Sequence, residues 1–190
     1  MAYEEPDYTV VHIGDHYEIR RYEPFIVAET DVAGDFDDAG SEAFRILAGY
    51  IFGKNRSPDV EFGTVAGARK NVEMSMTVPV ISKASVTSFG RGYTYAFVMP
   101  SEFSLESLPV PLDPRVGIRR VPERLVAVLK YSGRWTEKSY REHEAKLLRA
   151  LERDGVETAG TPQFARYNGP WAPWFMRRNE VMIGIVAPGS

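Results

Sequence analysis

Ile19-Arg20-Arg21, then Val27-Ala28, then Gly34 recur as Ile118-Arg119-Arg120, Val126-Ala127 and Gly133, and every match is separated by 99 residues. Each set is followed by a helical stretch and then by a segment with a T/N-x-P element, Thr77-x-Pro79 in the first half and Asn168-x-Pro170 in the second. Each half closes on an apolar strand ending in proline, YAFVMP (95–100) and IGIVAP (183–188). The order strand–strand–helix–strand–strand, met twice, predicts a duplicated α+β unit whose halves pair about a pseudo-twofold axis around one core. A proline-dense connector, Pro109 to Pro114, divides the halves, about 8–105 and 115–188. A chain of 190 residues is the size of one generous domain, so 1–190 reads as a single domain.

Local pattern fills in the elements. His16 to Tyr22 alternates, with Tyr17, Ile19 and Arg21 on one face of a strand. Residues 25–32 form a second β-rich run, and 74–82 and 93–99 two more, the last pair split by the turn around Gly90 and Gly92. A helix is predicted over about Asp37 to Phe52. A second runs from about Glu137 to Asp154, with Thr136 as N-cap and Gly155 beyond its end.

The two helices differ in how much of their circumference is apolar. In the second, Tyr140, Leu147, Leu148 and Leu151 fall in a stripe about 100° wide, enough to seat it on one sheet. In the first, Ala43, Phe44, Ile46, Leu47, Ala48, Tyr50 and Ile51 cover an arc of roughly 200°. One sheet cannot cover that arc, so Phe44, Ala48 and Ile51 call for a loop, another subunit or an apolar ligand. A candidate cover is Asn168 to Arg178, a proline-braced loop carrying Trp171, Trp174 and Phe175 ahead of two arginines. Such aromatics beside guanidinium groups suit a flat apolar ligand bearing carboxylates. The same loop equally well reads as a plug for the core edge of the first helix.

Several chemistries are excluded or unsupported. There is no cysteine, hence no disulfide, thiolate metal site, cysteine nucleophile or iron–sulfur cluster. With 23 Lys+Arg against 26 Asp+Glu and no basic run, nothing marks a nucleic-acid surface. The stretch 63–71 (GTVAGARKN) lacks the G-K-[ST] ending of a phosphate loop, and no nucleophile elbow or zinc helix occurs. No run of about 18 apolar residues predicts a membrane span, and the acidic start MAYEEPDYTV is unlike a signal peptide, so a cytoplasmic protein is expected. His12 and His16 share a strand face without a third ligand, and His143 lies at the border of the second helix's stripe. No acid/base pair argues for an enzyme. Glu180, just before an apolar strand, reads either as a partner of Arg177 or Arg178, or as the polar anchor of a cleft.

Four segments in order, YEIRRYEPFIVAET (17–30), YIFGKN (50–55), MSMTVPV (74–80) and RRNEV (177–181), resemble the SOUL/haem-binding protein family over about Tyr8 to Val186. The resemblance implies a distorted antiparallel barrel of two sheets flanked by two helices and built from a duplicated β-β-α-β-β unit. It implies reversible, non-covalent binding of haem or free porphyrin in an open apolar cleft between the first helix and the loop before RRNE. Carried over by position, the site is Phe44, Leu47, Ala48 and Ile51 on the helix with Trp171, Trp174, Phe175 and Arg177 on the loop. Where some members carry a histidine proposed as an axial iron ligand, this chain has Arg21, whose guanidinium stays protonated and cannot ligate iron. The iron is then held without that ligand, or by a substitute such as His16, a tyrosine or a methionine. Ser41 and Ala172 stand where cations for the acid groups are expected, leaving Arg177, Arg178 and Lys54 as replacements by charge.

The expected function is therefore carriage or buffering of a tetrapyrrole. The alternatives are an effector-binding sensor of amphiphilic small molecules anchored on Glu180, and an enzyme that processes tetrapyrroles or hydrolyses a substrate in the same cleft.

Overall fold

The computed structural model describes residues 3–58, 71–87 and 90–187; most of the glycine-rich 63–71 stretch lies outside them. Eleven strands are present among them: β1 (Tyr8–Ile13), β2 (Glu18–Tyr22), β3 (Phe25–Ala33), β4 (Asn55–Arg56), β5 (Val80–Thr87), β6 (Gly90–Val98), β7 (Val110–Pro111), β8 (Gly117–Val121), β9 (Arg124–Tyr131), β10 (Thr158–Arg166) and β11 (Asn179–Ile185). Two α-helices, α1 (Phe36–Ile51) and α2 (Glu137–Arg153), follow β3 and β9. Nine strands form one antiparallel sheet in the order β1-β2-β9-β11-β10-β5-β6-β3-β8, curled into a half-barrel. β4 and β7 make a separate two-stranded ribbon. The α+β class is as expected, with the main strands joined in one continuous sheet whose open edges are β1 and β8.

The strand pairings explain the 99-residue spacing. β2 pairs with β9 so that Ile19 faces Ala127, and β8 pairs with β3 so that Ile118 faces Ala28. Both crossings thus share one register. Gly34 and Gly133, also 99 apart, adopt φ of 122° and 142° between strand and helix, a conformation that L side chains rarely adopt. The T/N-x-P elements, in contrast, are not equivalent. Thr77-x-Pro79 precedes β5, whereas Asn168-x-Pro170 lies between β10 and β11. Residues 74–79 are not strand either: β5 starts only after Pro79, which has no N–H to give a ladder.

Both helices pack on one face of the sheet, over Ala28, Tyr95, Phe97, Ala127, Leu129, Phe164 and Val181. Of the stripe its sequence predicts, α2 buries Tyr140, Leu147 and Leu151, with Leu148 partly buried and Ala150 joining them, and the Thr136 hydroxyl accepts from the Ser139 N–H at 3.2 Å. α1 buries far more: Phe36, Ala39, Ala43, Ile46, Leu47, Tyr50 and Ile51. Part of its wide arc is closed by the chain itself. Met74, Leu108 and Val116 join the same cluster, the Met74 N–H donates to the Ile51 carbonyl, and the Tyr50 hydroxyl donates to the Pro109 carbonyl at 2.7 Å. Leu47 and Ile51, expected as ligand contacts, are accordingly core residues, 0% and 1% exposed. Phe44 remains 48% exposed and Ala48 half-buried.

Candidate functional site

On the helix-bearing face, one row of the sheet runs Arg166, Val80, Phe97, Ala28, since each is the cross-strand partner of the next. Neighbouring strands lie about 4.8 Å apart, so Arg166 and Phe97 are separated by about 10 Å. Over Phe97 stands Phe44 of α1, ring centroids 5.6 Å apart. Over Arg166 stands Trp135, the residue before the α2 N-cap, with the guanidinium carbon 5.2 Å from its ring centroid. Val80, half-buried, lies between. A strip of sheet, hereafter the trough, runs between exposed Phe44 at one end and Trp135 at the other.

The Trp135 end is extended by the Asn168–Arg178 loop, and the RRNEV motif explains how. Strand alternation sends Arg177 and Asn179 to the helix face, Arg178 and Glu180 to the other. Arg177 stacks on Trp135 at 4.0 Å, and its Nε and Nη2 donate to the Ala172 and Pro170 carbonyls at 2.9 and 2.8 Å. Buried Asn179 accepts from the Trp135 indole N–H at 2.8 Å. The Arg178 N–H donates to Asn168 Oδ1 at 2.6 Å, closing the loop base. At Gly169 a Cβ would stand 2.2 Å from the Trp171 ring, so a larger residue there would displace that indole.

Braced in this way, the loop holds its apolar side chains in solvent. Trp171, Trp174, Phe175 and Met176 are 76%, 51%, 60% and 68% exposed. A plug would have buried them against α1; this loop does not plug the core. Arg177, the cation expected to meet a ligand's carboxylate, instead spends two donors on shaping the loop. Arg166 was not singled out by sequence, yet its guanidinium sits among Phe36, Phe164 and Trp135 with its buried Nε unpartnered. Burial pushes its pKa down, opposed by the charges of Tyr95, Tyr131 and Asp37. The other missed residue, Trp135, had one sequence signal: a large aromatic directly ahead of a helix cap.

The remaining expected residues lie elsewhere. Arg178 turns to the opposite face, paired with Glu5 at 2.9 Å and Glu180 at 3.0 Å. Lys54 lies beside Gly49 near the end of α1. His16 is beside Asp15, which also meets Arg153, while Tyr17 donates to Asp154. It therefore sits at the C-terminal end of α2, about 25 Å along that helix from Trp135, and cannot serve as a ligand in the trough. Histidine is absent from the trough among the described residues; His143, the nearest in α2, is stacked on Tyr131 at 3.7 Å with Nδ1 on the Ser139 carbonyl. No cluster of three metal-binding side chains occurs among the described residues.

Glu180 is fully buried and fully used. Arg20 donates to both its oxygens at 2.9 Å, the Tyr167 hydroxyl at 2.7 Å and Arg178 Nε at 3.0 Å. Burial pushes its carboxyl up, but hydrogen bonding and charge from Arg20, with Arg178 and Tyr167, outweigh this and hold it below the usual glutamate range. A carboxylate with four donors has nothing left to anchor a cationic ligand, so the sensor reading loses its anchor.

The strip thus carries exposed aromatics at its two ends, half-buried Val80 between them, and the Arg166 guanidinium with an unpartnered Nε. A family model described as SOUL heme-binding protein matches residues 3–184. A search of curated proteins finds no match. Among solved structures, an uncharacterized conserved protein from Listeria innocua is similar with a TM-score of 0.63 at 14% identity, covering 90% of this chain and 92% of that one. A hydrolase from Listeria innocua gives 0.57 at 12% identity, covering 93% and 94%. The EcmrR C-terminal domain gives 0.58 at 11%, covering 94% and 98%. At such identities these three share the fold with this chain. No helix among the described residues is long and apolar enough to cross a membrane.

Proposed function

We propose a function from one premise: the chain belongs to the SOUL heme-binding protein family. It binds a tetrapyrrole, haem or free porphyrin, reversibly and non-covalently in the trough between the Phe44–Ala48 edge of α1 and the Trp171–Arg177 loop, for carriage or buffering. One observation carries this reading: a loop tied down by its own hydrogen bonds holds three large aromatics out in water, beside Arg166 with an unpartnered Nε. Ordering a platform before the ligand arrives lowers the entropy lost on binding. The macrocycle lies against Phe44 and the loop aromatics, and an acid substituent meets Arg166. Iron, when present, would find no histidine ligand among the described residues of the trough.

Titrating the apoprotein with hemin tests the reading. A saturable Soret shift at one equivalent is expected, weakened about three- to tenfold by Trp171→Ala and again by Trp174→Ala, with folding unchanged because both side chains are exposed. Unsaturable uptake, indifferent to both substitutions, would contradict it.

A further inference from the structure

The other face of the sheet carries a feature that tetrapyrrole binding does not use. Arg20 and Arg119 are 99 residues apart and occupy corresponding positions in the two equivalent crossings, facing Val126 and Val27. Their surroundings differ. Arg20 is roofed by Tyr8 of β1, 4.2 Å from the guanidinium carbon to the ring centroid, and its side chain is 0% exposed. Arg119 lies on β8, an open sheet edge, and no strand pairs along its outer side. Its side chain is 48% exposed.

The missing roof leaves a notch of about 40 Å³. Its polar lining includes Lys83, Arg119, Arg124, Gln163 and Glu29, and its walls include Phe25, Ile81 and Val121. These residues meet because Gln163 is the cross-strand partner of Lys83, and Arg119 that of Val27, two residues before Glu29. Three cations therefore face one carboxylate, and that carboxylate is already taken: Arg119 holds both oxygens of Glu29, at 3.0 and 2.8 Å. Asp31, further along β3, accepts from the Thr94 hydroxyl at 2.6 Å. Arg124 gives one Nη to Gln163 at 3.1 Å, while its Nε is buried without a partner. Lys83 has no carboxylate within 4.0 Å among the described residues. Three cations against one carboxylate leave the notch with a net positive field that favours an anion. A space of 40 Å³ holds about three waters, or one small oxyanion in their place.

We propose that this notch is a second ligand site, separate from the trough, that takes the carboxylate or phosphate group of a small molecule. Lys83 and Arg124 bind the anion and Arg119 sets its depth while tied to Glu29; a short apolar tail leaves through the open side of the notch past Phe25.

The test is an NMR titration of the full chain at constant ionic strength, following the Arg124 Nε–H signal and the amides of 81–83 and 163. Inorganic phosphate, hexanoate and uncharged hexanol are the probes. A saturable shift with phosphate, with hexanoate or with both supports the site and identifies the acid it prefers. Lys83→Met is expected to weaken that response about tenfold, and Arg124→Gln to abolish it, each variant's fold being checked in the same spectrum. Hemin uptake by Lys83→Met stays at the wild-type level, which separates failure here from failure of the tetrapyrrole reading. No saturable shift with either anion, an equal response to hexanol, or a response untouched by Lys83→Met would overturn the proposal.

Discussion

The buried Arg20–Glu180 pair sets the energetic character of the sheet face opposite the helices. Two charges with no exposure are tolerable only when every donor and acceptor is matched, and here Tyr22, Tyr167, Arg178 and Glu18 complete the network. Removing one partner strands the other. Glu180→Gln is expected to lower unfolding stability by about 3–5 kcal/mol, measured by urea denaturation. The sign with pH follows from the depressed carboxyl. Glu180 ionises more readily folded than unfolded, so its contribution is fully present above the ordinary glutamate value of 4.5 and is lost as pH falls through its lower folded value. The wild type should lose stability on acidification below about pH 4.5 more steeply than Glu180→Gln. Sequence reading had the carboxylate paired with a neighbouring arginine, and Arg178 is one of its partners. It missed Arg20, 160 residues away, because alternation gives a residue's face but not which strand lies beside it. The distance of His16 from the trough was not legible for the same reason. His16→Ala should leave the visible spectrum of the hemin complex unchanged, since the residue sits at the far end of α2.

At the scale of elements, α1 divides into a buried side and an exposed edge, and substitutions should separate them. Leu47→Ala opens a cavity in the core and should cost about 2–5 kcal/mol of stability while leaving hemin uptake intact under folding conditions. The wide apolar arc was legible from helical periodicity, and so was the need for a cover. Which residues the cover reached was not legible, because Met74, Leu108 and Val116 come from irregular segments that carry no period. The loop before β11 was legible as aromatic and braced by proline. That Arg177 is its internal strut depends on two carbonyl hydrogen bonds that composition does not reveal. Arg177→Met keeps an apolar stem on Trp135 but removes both bonds, each worth about 0.5–1.5 kcal/mol. The amides of 171, 172 and 174–176 should then exchange about tenfold faster, and hemin affinity should fall although no residue of the exposed platform has changed.

For the whole molecule, the curled sheet has two inequivalent faces: one carries the helices and the trough, the other the Arg20–Glu180 network and the notch. We infer that the chain is a duplicated unit; the shared register at Ile19–Ala127 and Ile118–Ala28 supports it. The 99-residue spacing was readable because strand pairing holds those positions to one alignment. The T/N-x-P match was not part of that alignment, since three letters recur by chance when no pairing constrains them. The two ends of the sheet differ: Tyr8 of β1 roofs Arg20 at one, whereas no strand pairs outside Arg119 at the other. The central claim is where the ligand sits, and the most direct test is to map amide shifts on adding diamagnetic protoporphyrin to isotope-labelled apoprotein. Perturbations are expected at 41–48, 80, 97, 134–135, 166–169, 171, 172 and 174–177, with His12, His16 and the Arg20–Glu180 network unmoved. Shifts centred on β1, the far end of α2 or the sheet face opposite the helices, with the loop tryptophans silent, would contradict this placement.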